Sequence, residues 1–310
     1  MSNIDLTILQ KVLDEAVLIA KDNFEGHVAD YIPELASVDE NRTSITVMLK
    51  DGTTLVAGDD VNESITLQSA AKLIVLIGLL EEMGTEEVMK WVKVEPSGDD
   101  FASIARLDQF GPRPSNPMLN SGAIALCAHI PGNAEERLHW LEGWTEKLFN
   151  EKLTLDPKVF ASERRTGDRN RALAYLLKSR GMLVGEVDEV LDTYFYLCSF
   201  QASVKQAAYL PLMLANGGET PEGVRVFSRV TARMALAIMS TCGLYNETGT
   251  HMVRTGLPAK SSVSGFILAT ALRHGGIAVN SPRVNRKGTS MRGEIMLEYV
   301  ARAMSWHFAG

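Results

Sequence analysis

A serine and a lysine three residues apart are the first pair in this sequence whose types and spacing suggest chemistry. The segment LQSAAK places Ser69 where a strand-like run changes to a helical one, and Lys72 follows one turn later on the same face. A capping box would have Glu or Gln at the position of Lys72, and a cation there opposes the helix dipole. Because the next residues, LIVLIGLL, are apolar on every face, we expect Lys72 to be buried.

A buried lysine beside a hydroxyl is suited to nucleophilic catalysis. Burial lowers the pKa of an amine, and the neutral amine can remove the proton of a serine hydroxyl. Backbone N–H groups at the start of a helix can also stabilise an oxyanion. The pair therefore predicts a serine nucleophile, Ser69, with Lys72 as its base. The structural alternative is that Ser69 is only a helix N-cap.

Composition and charge exclude several classes of protein. The 310 residues are 45% hydrophobic and 22% charged, which is typical of globular domains. A net charge of −7 argues against nucleic acid as a partner. The N-terminal segment predicts an amphipathic helix rather than a signal peptide, and the longest apolar run is too short to cross a bilayer. We therefore expect a cytoplasmic protein without a membrane partner.

The three cysteines give no sign of a metal or disulfide site. Cys127, Cys198 and Cys242 are widely separated and lack a CxxC or histidine neighbour at metal spacing. We interpret them as reduced packing residues.

The elements that must position the pair are strands at both ends of the chain and helices between them. Asp5 can cap a first helix, and residues 44–58 predict a β-hairpin. Helical patterns then cover 70–82, 122–129, 134–148, 169–177, 187–200, 203–215 and 230–241. Strand-like segments return at 252–256, 261–268 and 276–280, followed by a helix over 291–308.

This order predicts a mixed α/β protein in which a helical segment interrupts a sheet. We expect an α/β lobe from residues 1–68 and 226–310 and a mostly helical lobe from residues 69–225. The active site is expected in the cleft between the lobes.

A later segment strengthens the catalytic interpretation. The serine and lysine spacing is the signature of the penicillin-binding and class A β-lactamase group, in which a K[ST]G run on a later strand completes the site. Lys260, Ser261 and Ser262 form a degenerate version of that run, with serine in place of glycine.

A series of segments between residues 29 and 293 resembles the glutaminase family of serine-dependent enzymes. The segments, in chain order, are ADYIPELA, LQSAAK, EPSG, NPMLNSGAIA, SERRTGDRNRALAYLL, VLDTYFYLCS, GLYNETG and GLPAKSSVSG. The resemblance implies a β-lactamase/transpeptidase-like fold, with an antiparallel sheet flanked by helices plus an all-α lobe. It also implies hydrolysis of L-glutamine to L-glutamate and ammonia through an ester on Ser69, with no metal and no organic cofactor.

The resemblance also implies four residues that bind the substrate. Glu163 matches the family glutamate near the substrate ammonium, and Tyr31 matches a tyrosine near its carboxylate. Asn120 and Asn170 match two further substrate ligands. Taken without the resemblance, Glu163 would be a surface residue, the two asparagines would be local caps, and Tyr31 would be half-buried packing.

Three further positions are implied at the reaction centre. Tyr194 and Tyr245 match family tyrosines that line it and contact substrate, and either phenol can relay a proton to the leaving ammonia. Val263 matches a position whose backbone N–H pairs with that of Ser69 in the oxyanion hole. Tyr196, which is off the helical face of Tyr194, is interpreted as packing.

The sequence departs from the family pattern at two positions. Ser262 and Phe266 stand where the family has glycines. Side chains there are expected to narrow the pocket and to change turnover, affinity or substrate choice.

Three alternatives stay open at this point. The chain could be a β-lactam-recognising serine hydrolase, a catalytically weak binding protein of the same fold, or an enzyme acting on asparagine. The habits of the family suggest a homodimer or homotetramer.

Overall fold

The sheet begins with a hairpin, as the sequence predicts. In the computed structural model, which describes residues 4–97 and 111–310, strands β1 (Ser44–Leu49) and β2 (Thr54–Gly58) pair antiparallel. Their turn uses Gly52, whose φ of +88° favours glycine. The last residue of the EPSG segment, Gly98, and the first three residues of the chain lie outside the described ranges.

The chain completes this sheet close to its end. It adds strands β6 (Ala259–Ser261), β7 (Phe266–Ala271) and β8 (Gly275–Asn280), in the order β2-β1-β8-β7-β6, with every pair antiparallel. A second, small sheet has the order β3-β5-β4 and consists of β3 (Ile65–Thr66), β4 (Thr154–Leu155) and β5 (Phe200–Ala202). The sequence pattern does not predict β4 and β5, because strands of two or three residues are too short to interrupt a helical pattern visibly.

Helices occupy most of the remaining described chain. They are α1 (Leu6–Lys21), α2 (Pro33–Ala36), α3 (Lys72–Met83), α4 (Thr85–Val88), α5 (Asn120–Cys127), α6 (Ala134–Phe149), α7 (Pro157–Thr166), α8 (Asp168–Ser179), α9 (Val187–Cys198), α10 (Val204–Ala207), α11 (Tyr209–Ala215), α12 (Arg229–Cys242), α13 (Thr248–Thr255) and α14 (Met291–Ala303). None of the helices seen in residues 4–97 and 111–310 has the length and apolar character to traverse a bilayer.

The two faces of the large sheet pack against different helices. Alternate residues such as Ile45 and Val47 of β1 form one core with α1 and α14. On the opposite face, Met48, Phe266 and Leu268 join a larger core formed mainly by the central helices. Helices therefore flank an antiparallel sheet, which confirms the predicted mixed α/β class.

Local predictions at the helix ends are partly confirmed. Asp5 caps α1, where its carboxylate accepts the N–H groups of Thr7 and Ile8. The predicted helix 203–215 is two helices that meet at Ala208. The predicted helix 291–308 ends at Ala303.

Two strand predictions after residue 250 are wrong. Residues 252–256 belong to helix α13 and its cap, because His251 and Thr255 are buried one helical turn apart and Gly256 adopts the left-handed conformation that ends a helix. The predicted strand 261–268 is two strands, because the chain reverses at Gly265, whose φ is +90°. Short runs rich in Val, Thr and Ser fit both structures, so periodicity alone did not separate them.

Candidate active site

Ser69 lies in a short 3₁₀ turn, Gln68–Ala71, between β3 and α3. The residue before it, Gln68, has a φ of +48°, which is strained for a residue other than glycine. The turn places Ser69 on the wall of a cavity of about 310 Å³. The N-cap alternative for Ser69 is wrong, because the residue lies within the 3₁₀ turn and Ala71 precedes α3.

Lys72 is the first residue of α3 and is fully buried, as predicted. Its side chain does not line the cavity. Its amine donates hydrogen bonds to the carbonyl oxygen of Met118 at 3.0 Å and to Oδ1 of Asn120 at 2.8 Å. Burial lowers the pKa of Lys72 to about 8, so the neutral amine is available in mildly alkaline solution.

Two asparagines extend from Lys72 to the cavity wall. Asn120 accepts from Lys72 through Oδ1 and donates from Nδ2 to Oδ1 of Asn170 at 3.0 Å. The hydrogen bond from Lys72 therefore fixes which end of the Asn120 amide is the oxygen. Asn120 is the first residue of α5 rather than its N-cap, and Asn170 lies in the first turn of α8 without capping it. Both asparagines line the cavity.

A carboxylate lies on the same cavity wall. Glu163, near the end of α7, is only 6% exposed, so the surface alternative is wrong. Burial raises the pKa of its carboxyl. The hydroxyl of Tyr31 lies 2.9 Å from Oε1 of Glu163 and 3.0 Å from Oε1 of Gln68. Nε2 of Gln68 is buried and makes no close hydrogen bond among the described residues. One of its N–H groups interacts with the carboxylate of Glu163 and favours the charged form, which leaves the second N–H as a donor for a ligand.

Helix α9 contributes a tyrosine and a cysteine to the wall. Tyr194 and Cys198 are one helical turn apart, and both line the cavity. Burial raises the pKa of Tyr194 well above its usual value and that of Cys198 to about 12. Both groups are therefore protonated at neutral pH. Tyr196 faces away and donates to Glu142 at 2.6 Å, which fits the packing interpretation.

Val263 lines the cavity from the turn between β6 and β7. Neither its backbone N–H nor that of Ser69 donates to another main-chain group within residues 4–97 and 111–310. Two donors without a main-chain partner, on two segments of the same cavity, are what an oxyanion site requires.

Tyr245 is not on the cavity wall, but its ring lies close to Val263, which is. A Cβ at Gly288 would lie 3.1 Å from Cγ1 of Val263 and 3.3 Å from the ring of Tyr245. Tyr245 has a φ of +52°, and the amine of Lys260 lies 4.6 Å from the centre of its ring. Lys260 is fully buried and donates to the carbonyl oxygens of Gly243 and Ser261. Burial, and secondly the charge of Lys72, lower the pKa of Lys260.

Comparisons with known proteins agree with this geometry. A family model described as Glutaminase matches residues 26–308. A glutaminase from Legionella pneumophila (strain Philadelphia 1) is 58% identical over 310 residues, which cover 100% of this chain and 99% of the relative. The chain belongs to the glutaminase family.

Solved structures show the same glutaminase fold. A probable glutaminase, ybaS, is similar with a TM-score of 0.96 and 34% identity, and the match covers 99% of this chain and 100% of the other. The glutamate form of Mglu is similar with a TM-score of 0.92 and 30% identity over 97% of this chain and 69% of that one. These matches confirm the fold that the resemblance implied.

The two departures from the glutaminase pattern do not narrow the cavity, contrary to our expectation. Neither Ser262 nor Phe266 lines it. Phe266 is fully buried in the core on the helical side of the sheet, and Ser262 is fully buried within the turn that carries Val263. A strand residue that follows a tight turn can place its side chain in the core rather than toward the ligand, and the sequence did not reveal the turn.

Several residues on the wall of the cavity were not predicted from the sequence. They are Gln68, Thr166, Gly167, Arg169 and Cys198. Two of them carried a usable signal, since Gln68 is adjacent to the proposed nucleophile and Cys198 is one helical turn from Tyr194. All three cysteines are free and buried, as predicted.

Proposed function

We propose that this chain hydrolyses the side-chain amide of L-glutamine to L-glutamate and ammonia. The observation that carries the proposal is the fully buried amine of Lys72, three residues after Ser69 in the chain, together with a cavity wall that holds Ser69 and the buried carboxylate of Glu163. Ser69 fits the role of nucleophile and Lys72 that of its base. The carboxylate of Glu163 fits the ammonium group of an amino acid substrate. Membership of the glutaminase family supports the substrate.

The substrate fits the cavity by its charges. In the proposal Glu163 pairs with the α-ammonium. The hydroxyl of Tyr31 turns its proton from Glu163 to the α-carboxylate, which also accepts from Nε2 of Gln68. Asn120 and Asn170 supply neutral polar groups between this end and Lys72. When the α-ammonium and α-carboxylate of glutamine are both bound at one end of the cavity, its side-chain amide is directed toward Ser69.

The chemistry proceeds in two halves. Neutral Lys72 accepts the hydroxyl proton of Ser69, and Oγ of Ser69 bonds to the amide carbon. The N–H groups of Ser69 and Val263 stabilise the negative charge on the amide oxygen. The carbon–nitrogen bond then breaks, the nitrogen takes up the proton that Lys72 received from Ser69 and leaves as ammonia, and a glutamyl ester of Ser69 and a neutral Lys72 remain. Water, deprotonated in its turn by Lys72, hydrolyses the ester to glutamate.

Two tyrosines are proposed to relay the proton to the leaving nitrogen. Tyr194 is on the cavity wall, whereas Tyr245 lies beside it under the amine of Lys260. This placement favours Tyr194 as the group that touches substrate, with Tyr245 acting from the adjacent side.

Ammonia release from glutamine is the decisive measurement. The wild type should release ammonia, and Ser69→Ala should not, because no ester can form without the hydroxyl. Asparagine and a chromogenic β-lactam, assayed in parallel, test the two alternative substrates. Turnover by Ser69→Ala comparable to that of the wild type, or hydrolysis of the β-lactam in preference to glutamine, would overturn the proposal. A wild type that binds glutamate without releasing ammonia would identify a binding protein instead.

The site is proposed to lie between two lobes, residues 1–68 with 226–310, and residues 69–225. The cavity draws Tyr31 and Val263 from the first lobe and Ser69, Asn120 and Glu163 from the second, which supports this division. We also keep a cytoplasmic location and a homodimer or homotetramer as predictions. Light scattering of the purified protein over a dilution series would determine the oligomeric state.

A further inference from the structure

The two ends of the turn between β6 and β7 are held by backbone hydrogen bonds and by the side chain of Asn280. The N–H of Ser262 donates to the carbonyl of Phe266 at 2.8 Å, and the N–H of Gly265 donates to the carbonyl of Ser262 at 3.1 Å. A Cβ at Gly265 would lie 2.3 Å from the carbonyl oxygen of Ser281, so the turn packs closely against the segment that follows β8. Nδ2 of Asn280 donates to the carbonyl of Ser264 at 3.0 Å. These contacts fix both ends of the turn.

The hydroxyl of Ser262 fixes the middle of the turn. Its oxygen accepts the N–H of Ser264 at 3.2 Å and lies 2.6 Å from Oγ of Ser264. A serine oxygen that accepts the N–H two residues later forms a local turn that restrains the peptides on both sides of the residue between them. That residue is Val263, whose N–H has no main-chain acceptor among the described residues and which lines the cavity.

We propose that Ser262 is a positioning residue, whose hydroxyl orients the backbone N–H of Val263 toward the developing oxyanion. The inference rests on the proposed function, since it assigns the oxyanion to Ser69 and Val263. The glycine that the usual family pattern has at position 262 carries no hydroxyl. This way of orienting the Val263 N–H is therefore limited to chains with serine at that position. Ser262 does not touch the substrate, and it acts only through the main chain of Val263.

The matched variants Ser262→Ala and Ser264→Ala separate this role from general packing. Both remove one buried hydroxyl and both abolish the contact between the two oxygens. Only Ser262→Ala also removes the acceptor for the N–H of Ser264. Because the oxyanion forms in both halves of the reaction, a misplaced Val263 N–H lowers kcat and leaves ground-state binding unchanged.

The experiment measures kcat, KM and inhibition by glutamate for the wild type and both variants. Loss of a whole oxyanion donor costs about 100- to 1,000-fold, so we expect a partial loss of about 10-fold in kcat for Ser262→Ala, with KM and the glutamate inhibition constant within about twofold of the wild type. Ser264→Ala should retain the wild-type kcat.

Three results would overturn the inference. They are a wild-type kcat in Ser262→Ala, an equal loss in Ser264→Ala, and a loss that appears in KM and glutamate inhibition instead of kcat. Absence of glutamine hydrolysis in the wild type is a different result, since it would remove the proposed function itself.

Discussion

In the proposed mechanism, the protonation state of a single residue, Lys72, decides whether Ser69 can react. Lys72 has carbonyl and amide oxygens as hydrogen-bond partners rather than a carboxylate, so its burial is not offset by a negative charge in contact with it. Its pKa falls to about 8 for that reason. Below that pH the amine is mostly charged and cannot accept a proton. Activity should therefore rise with pH through about 8.

Asn120→Asp tests this assignment directly. The change puts a carboxylate at the oxygen that accepts from Lys72 at 2.8 Å, which stabilises the charged amine and raises its pKa. We expect the pH at which kcat rises to be higher in the variant by about one pH unit or more. The measurement is the pH dependence of kcat at saturating glutamine. A rise at the same pH in both proteins would show that another group controls the rate.

Residue types predicted the burial of Lys72 correctly, and the surroundings of Ser69 and Lys72 were harder to predict. A lysine in an apolar first helical turn has few structural explanations, so its burial was predictable from the sequence. The partnership of Glu163 with Tyr31 was not, because the two residues are 132 positions apart. The local sequence around Tyr31 or Glu163 does not predict that contact.

At the scale of elements, the break between α7 and α8 shapes one wall of the cavity. Gly167 lies at this break, three residues before Asn170 and four after Glu163. A Cβ at Gly167 would lie 2.4 Å from the ring of Phe195 and 2.7 Å from the carbonyl oxygen of Glu163. The absence of a side chain therefore allows α7 and α8 to meet closely against α9.

Gly167→Ala should disturb both the fold and the site. The ring of Phe195 is buried and cannot retreat freely, so we expect a loss of about 1 to 3 kcal/mol in the free energy of unfolding. A displaced α7 moves Glu163, so KM for glutamine should also rise. Chemical denaturation and steady-state kinetics measure the two effects.

Gly143→Ala is the matched control for this prediction. Gly143 lies within α6, and a Cβ there would meet no atom within 4 Å. Alanine should stabilise that helix by up to about 1 kcal/mol and leave KM unchanged. Equal stability of the two variants would show that the contact between α7, α8 and α9 tolerates a methyl group.

The elements that the sequence predicted well have strong local signals. Asp5 caps α1, and the hairpin of β1 and β2 turns at Gly52. The errors fell where signals are short or depend on partners distant in sequence, as in α13 and the turn at Gly265. There the pairing of β7 with β8 and the burial of His251 decide the structure, and neither is visible in a short window.

At the scale of the whole molecule, one small cavity joins parts of the chain that are far apart in sequence. Its wall includes Tyr31, residues between 68 and 198, and Val263. A ligand bound there contacts all these parts at once and binds only the folded chain. It should therefore stabilise the whole fold in proportion to its concentration over its dissociation constant.

Glutamate should raise the unfolding temperature of the wild type in a single transition. At about 100 times its dissociation constant, a ligand specific for the folded state contributes about 2.7 kcal/mol. Glu163→Gln should lose most of this shift, because the amide cannot pair with the ammonium of glutamate. Glu142→Gln should keep it, since Glu142 accepts from Tyr196 and does not line the cavity. Differential scanning fluorimetry over a glutamate titration compares them, and an undiminished shift in Glu163→Gln would refute the assigned pairing.

The enclosure of Lys72 also protects the enzyme from chemical damage. A lysine with a pKa of about 8 would, if it faced water, be among the most reactive amines of the protein toward aldehydes and other electrophiles. Here the amine is fully buried and does not line the cavity. Small carbonyl compounds that enter the cavity contact its wall, which includes Ser69 and not Lys72, so the fold shields this amine from such adducts.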